Sequence, residues 1–128
     1  MKPIDQLTES VIGAAIEVHK ALGPGLLESA YETCLAFELN QRGLSVKRQH
    51  AIPLAYKDVQ LECGYRIDLL IENQVVIELK VVEKVLPIHE AQLMSYLKLS
   101  NCTVGLILNF NTLRMVDGIT RRVMNHKD

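Results

Sequence analysis

The chain has 128 residues, 48 % apolar and 23 % charged, which fits an ordinary folded domain and excludes a disordered one. With no Trp and two Phe, its core has to be built from Leu, Ile and Val. A net charge of -1, from 14 Lys and Arg against 15 Asp and Glu, argues against a protein that coats nucleic acid, though it leaves room for a local basic patch.

The length predicts a single domain over residues 1–128. Cys34, Cys63 and Cys102 are scattered, with no C-x-x-C. That pattern fits reduced thiols better than a disulfide framework, and three cysteines cannot build a four-cysteine zinc or iron–sulfur site. The start, Met1-Lys2-Pro3-Ile4-Asp5, has no apolar leader. The longest aliphatic stretch, around Val104 to Leu108, is far short of a membrane span. The expectation is a cytoplasmic protein with no membrane partner.

In chain order, Ile4, Leu7, Val11, Ala15, Val18 and Leu22 recur at helical spacing, and Gly23-Pro24-Gly25 ends that helix. A second helix is predicted from Glu28 to Arg42, with Tyr31, Leu35 and Leu39 on one face. Gly43 is its left-handed terminator, and Leu44 makes the accompanying apolar contact. The pattern then alternates. Val46, Arg48, His50, Ile52 and Leu54 form one side of an extended segment, and Tyr56-Lys57-Asp58 a turn. Leu61, Cys63, Tyr65, Ile67 and Leu69 form one side of the next strand. After a turn at Glu72-Asn73-Gln74, residues Val75 to Val82 form a third strand. Pro87 opens a third helix reaching about Leu99. A buried strand spans Thr103 to Asn109, and one or two short strands lie between Leu113 and Val123, turned at Asp117-Gly118. The order predicts an α/β fold with a mixed sheet carrying helices.

The polar residues that stand out are Asp68 and the run Glu78-Leu79-Lys80. Strand side chains alternate faces, so Glu78 and Lys80 share one and Leu79 points into the core. A turn made of Glu72, Asn73 and Gln74 pairs Ile71 with Val75 and sets Asp68 opposite Glu78. Directly opposed residues have Cβ atoms about 4.5–5.5 Å apart. Two carboxylates that close repel unless positive charge lies between them, and a hard divalent cation supplies it. Lys80 is placed to stabilise a developing anion or position a water. Spacing alone leaves a cross-strand salt bridge or a solvated strand face equally open. Gln92 and Tyr96 share a face of the third helix, and read alone they are surface or boundary residues. Read alone, Glu28 is an acid in a first helical turn and Tyr31 is core.

Taken together, these residues resemble a known family. Gly25, Glu28 and Tyr31 match the pattern of the GxxExxY protein family, within the PD-(D/E)XK nuclease superfamily. The surrounding text is similar too: Glu17-Val18-His19, Leu22-Gly23-Pro24-Gly25, Tyr65-Arg66-Ile67-Asp68-Leu69-Leu70, Ile77-Glu78-Leu79-Lys80 and Ile88-His89-Glu90-Ala91-Gln92-Leu93, ending at Tyr96-Leu97-Lys98. The resemblance runs from about Ile4 to Val123. It implies a restriction-endonuclease-like mixed central sheet flanked by helices, with core order α-β-β-β-α-β. It implies that Asp68 and Glu78 bind Mg2+ or Mn2+, that Lys80 assists the attacking water, and that Glu28 is an additional acid near the metal. Gln92 and Tyr96 match the QxxxY element of the RecB-like branch, where it supports the site or contacts the substrate backbone. His19 corresponds most weakly, to an active-site helix histidine of that branch. Some relatives there add a four-cysteine iron–sulfur cluster, which this chain cannot.

The expectation is therefore a metal-dependent nuclease hydrolysing DNA phosphodiester bonds, with backbone contacts from Arg66, Lys84, Lys98, Arg121 or Arg122. The alternative is a weakly active or inactive nucleic-acid-binding or assembly module that keeps the fold. A homodimer or a larger complex is left open.

Overall fold

A computed structural model describes residues 2–62 and 64–125. Among the described residues there are three α-helices: α1 (Ile4–Leu22), α2 (Glu28–Gln41) and α3 (Pro87–Ser100). The strands are β1 (Val46–Ala51), β2 (Leu54–Tyr56), β3 (Val59–Leu61), β4 (Arg66–Ile71), β5 (Val75–Lys80), β6 (Val104–Asn109) and β7 (Ile119–Val123). A five-stranded sheet runs β1-β4-β5-β6-β7, and β2 and β3 form a separate hairpin. Only the β5–β6 pair is parallel, and α3 makes the crossover between its strands. This mixed sheet flanked by helices is the restriction-endonuclease-like α/β fold expected from the sequence.

Helices lie on both faces of the sheet. On one face Leu7, Val11 and Val18 of α1 and Tyr31, Leu35 and Leu39 of α2 pack with Leu69, Ile71, Val75, Ile77, Leu79, Leu106 and Leu108. On the other, Leu93, Tyr96 and Leu97 of α3 pack with Ile67, Leu70, Val76 and Ile107. At Gly105 in β6, an added Cβ would lie 2.7 Å from Leu93 Cδ1, so the missing side chain sets how closely α3 approaches the sheet. Helix α2 stops as the sequence predicts. Gly43 takes φ 79, its N–H donates to the Asn40 carbonyl, and the Leu44 N–H donates to the Leu39 carbonyl. Leu44 is buried beside Leu39, completing a Schellman end.

The two long middle strands of the sequence reading are each broken in two. Pro53 interrupts the first and the left-handed Gly64 (φ 76) the second; Cys63, assigned to the second, lies outside the described residues. The Ile52 N–H donates to the Tyr65 carbonyl at 2.9 Å. Beyond that bond only Pro53 precedes β2, whereas residues 62–64 lie between β3 and Tyr65. The tip of the ribbon, β2 and β3, is a separate hairpin.

The expected alternation also fails at one point. Val46, Leu69 and Ile71 face the α1/α2 core, whereas Ile52 and Ile67 face the α3 core. The switch falls at Gln49 and Asp68, the pair missing from the otherwise continuous β1–β4 register. Gln49 has φ 48, a conformation that no regular strand contains. Of the one or two short strands expected between Leu113 and Val123, one is present, β7, and Met115–Gly118 is a 3₁₀ turn leading into it.

Candidate active site

The β4–β5 hairpin has the register that its turn implies. Ile71 pairs with Val75, Leu70 with Val76 and Leu69 with Ile77, and the positive φ of Glu72 and Asn73 closes the loop. Regular pairing stops there. Beyond it, β4 stays paired with β1 as far as Arg66, and β5 stays paired with β6 as far as Lys80. The two strands therefore part and leave a notch. Asp68 and Glu78 face each other across its apex. Glu78 Oε2 accepts the Asp68 N–H at 2.9 Å, and Asp68 Oδ2 accepts the Leu79 N–H at 2.9 Å. Each carboxylate thus satisfies a backbone donor that the parted ladder leaves unpaired, and each is held rigidly with oxygen capacity to spare.

These carboxylates sit in strained electrostatics. Glu78 is 5 % exposed. Burial, then the charge of Asp68, pushes its pKa up to about 8, against the partial relief of the Asp68 N–H and of Lys80. Asp68 is also raised, mainly by burial, with Glu32 adding to it and the Leu79 N–H and the Gln49 amide opposing it. The two carboxylates repel, so the pair resists losing both protons. A buried and a half-buried carboxylate that together resist double ionisation are the donor set a hard dication stabilises. Among the described residues no group of three or more His, Cys, Asp or Glu is gathered to hold a metal by itself. Asp68 and Glu78 are the two residues that could hold such a cation, which would need further oxygen donors from outside this pair.

Glu28 comes from the first turn of α2. It is mostly exposed, yet partial burial and the charge of Asp68 raise its pKa while Lys80 lowers it, so it belongs to the same cluster. Gly25 and Tyr31 explain how it gets there. Gly25 has φ 97, and the Tyr31 hydroxyl donates to the Gly23 carbonyl at 2.5 Å and accepts the Leu26 N–H at 3.1 Å. The ring stacks on Phe110 with centroids 4.5 Å apart. Tyr31 thus staples the loop that launches α2, and Glu28 is carried in on that helix.

Lys80 is half-buried at the end of β5 and lines a cleft with His89, Gln92 and Ser95 of α3. Next to it in register, the buried Asn109 ties down the following loop, its amide bonding both the N–H and the carbonyl of Val82. The Gln92 amide donates to the Tyr96 hydroxyl at 3.3 Å. Burial, then the charges of Glu78 and Asp68, raises the Tyr96 pKa, so Tyr96 stands on the rim of the cluster. His19 is placed elsewhere: its Nε2 lies 2.8 Å from the Thr112 carbonyl oxygen, and it lines a cavity with Pro24 and Met115 that none of these acids borders.

Two site residues escaped the sequence reading. Glu32, one turn after Glu28, is buried and paired with Arg48, whose Nη2 is 3.1 Å from Glu32 Oε2. The Gln49 amide donates to Glu32 Oε1 at 2.6 Å and to Asp68 Oδ1 at 3.2 Å. The i, i+4 spacing of Glu28 and Glu32 was a visible signal, since like charges there need a partner. Nothing in the sequence marks Gln49, whose role depends on a local break in β1. Of the basic residues proposed for backbone contact, Arg121 pairs with Asp5 and Arg122 with Glu90.

Comparison with curated proteins and with solved structures returned no match. The family model of the PD-(D/E)XK nuclease superfamily matches residues 5–123, a span that takes in the notch, α2 and α3. On that match the chain belongs to the PD-(D/E)XK nuclease superfamily.

Proposed function

We propose that this chain is a Mg2+- or Mn2+-dependent deoxyribonuclease, of the GxxExxY kind within the RecB-like branch, and that the whole chain is one nuclease domain. The observation that carries the reading is the cross-strand clasp of Asp68 and Glu78, with Lys80 two residues on. PD-(D/E)XK nucleases generally depend on a divalent metal. Here Asp68 and Glu78 would hold it, with Glu28 as a third acid at the edge of the cluster. Bound there, the metal supplies Lewis-acid polarisation of the phosphate and a lowered water pKa. Lys80 offsets charge on the phosphate oxygens and orients the attacking water. Tyr96, held by Gln92, presents its hydroxyl at the rim, where a backbone phosphate passes. Tyr31 and Gln49 act only by position, the first fixing α2 and the second fixing Asp68. His19 has no part in this scheme.

The experiment is Mn2+ titration followed by incubation with linear, circular and single-stranded DNA, with Lys80→Ala alongside wild type. An interaction made mainly in the transition state lowers rate far more than affinity when removed. The expected result is cleavage by wild type, a large rate loss in Lys80→Ala, and near-equal DNA affinity in Ca2+. No cleavage of any form by wild type, or equal rates for the two proteins, refutes the proposal.

A further inference from the structure

A second cleft, of about 480 Å³, lies between the β2–β3 hairpin and α3. Its size is that of an ordinary small-ligand site. Leu54 and Leu99 form apolar walls, Tyr65 stands at the mouth, and Lys98 brings a cation. The cleft shares Gln92 and Ser95 with the Lys80 cleft, so the two form one track along α3. Tyr96 lines it and also feels the charges of Glu78 and Asp68. Tyr65 is 43 % exposed. Its backbone is pinned because its carbonyl accepts the Ile52 N–H at the base of the hairpin. An exposed ring lining one cleft with Leu54 and Leu99, together with the Gln92 amide, the Tyr96 hydroxyl and the Lys98 ammonium, suits a flat aromatic ligand with a polar edge and an attached phosphate.

We propose that this cleft is a nucleobase subsite, in which Tyr65 stacks one unpaired base of the strand whose phosphate lies at the Asp68–Glu78–Lys80 cluster. The inference rests on the nuclease reading for the strand it binds. A base seated there has left its duplex partner, so the preferred substrate carries unpaired nucleotides, as single strands or frayed ends do. Stacking on one aromatic ring tolerates any base, so the subsite selects strandedness and not sequence.

The test is DNA affinity in Ca2+, measured by fluorescence anisotropy, for wild type, Tyr65→Ala and Tyr65→Phe. The probes are a short single strand, the same strand made abasic, and the blunt duplex. Wild type is expected to favour the single strand over both other probes. Tyr65→Ala is expected to lose about ten- to hundredfold on the single strand and nothing on the abasic one, whereas Tyr65→Phe keeps the ring and binds like wild type. An exposed position keeps the fold intact, which thermal unfolding verifies. Equal affinity of Tyr65→Ala and wild type for the single strand overturns the subsite, as does an abasic strand bound as tightly as the natural one. A loss in Tyr65→Phe as large as in Tyr65→Ala assigns the effect to the hydroxyl and also overturns stacking. Because binding is read without cleavage, an inactive wild type that still discriminates through Tyr65 would sink the nuclease reading and leave the base subsite standing.

Discussion

Glu78→Gln isolates the electrostatic strain in the notch. In the folded, metal-free protein the Glu78 carboxyl titrates near 8, against 4.5 for an ordinary glutamate. Between those values the native state holds a proton that the unfolded chain has released. Native protein thus binds more protons than unfolded protein, and stability falls as pH rises through that window. At about 1.4 kcal/mol per pH unit, the window is worth at most about 5 kcal/mol, a large share of the roughly 5–15 kcal/mol that holds a domain folded. The relief from Lys80 is already contained in that value, and solvent at half-buried Asp68 reduces the observed loss below that ceiling. Glutamine is neutral throughout and its amide oxygen still accepts the Asp68 N–H, so the variant keeps the clasp without the proton. The assay is urea unfolding in EDTA from pH 5 to pH 9. Wild type is expected to lose stability across the range, while the variant declines less and overtakes it at alkaline pH. Added Mn2+ is expected to stabilise wild type increasingly as pH rises and the variant far less, since binding requires the ionised carboxylate. Parallel pH profiles for the two metal-free proteins would refute the account of Glu78.

Tyr31→Phe removes the hydroxyl that ties Gly23 to Leu26; we expect a cost of about 1–3 kcal/mol in denaturant unfolding, and unchanged stability would show that the staple is idle. Gly105→Ala drives a methyl group into Leu93; overpacking of this kind costs about 1–3 kcal/mol, and Leu93→Val in the same chain is expected to recover part of it. Arg48→Ala leaves buried Glu32 without its cation; a loss of about 1–2 kcal/mol is expected, smaller when Glu32→Gln is also present, and a double-mutant cycle measures the coupling.

Much of this protein is local, and local information was legible. The period of α1, the Gly43 end of α2, Pro87 at the start of α3 and the three-residue turn at Glu72-Asn73-Gln74 are each set by a few neighbouring residues acting through short-range sterics and hydrogen bonds. The turn alone dictates that Asp68 approaches Glu78, because side chains on a strand have a strict period of two and a turn of fixed length sets the register. What lay beyond the sequence was where that period fails. The left-handed backbone at Gln49 and the switch of faces at Asp68 pay off only once β4 is held by β1 on one side while β5 is held by β6 on the other. The notch is a property of two strands pulled toward different partners, and neither strand carries a sign of it. The same holds for Arg48 and Gln49, and for the partners that Glu32 finds: these contacts join α2 to β1 and β4 across the sheet edge. Long-range packing chooses such contacts, and only the assembled layers reveal the charge balance around Asp68.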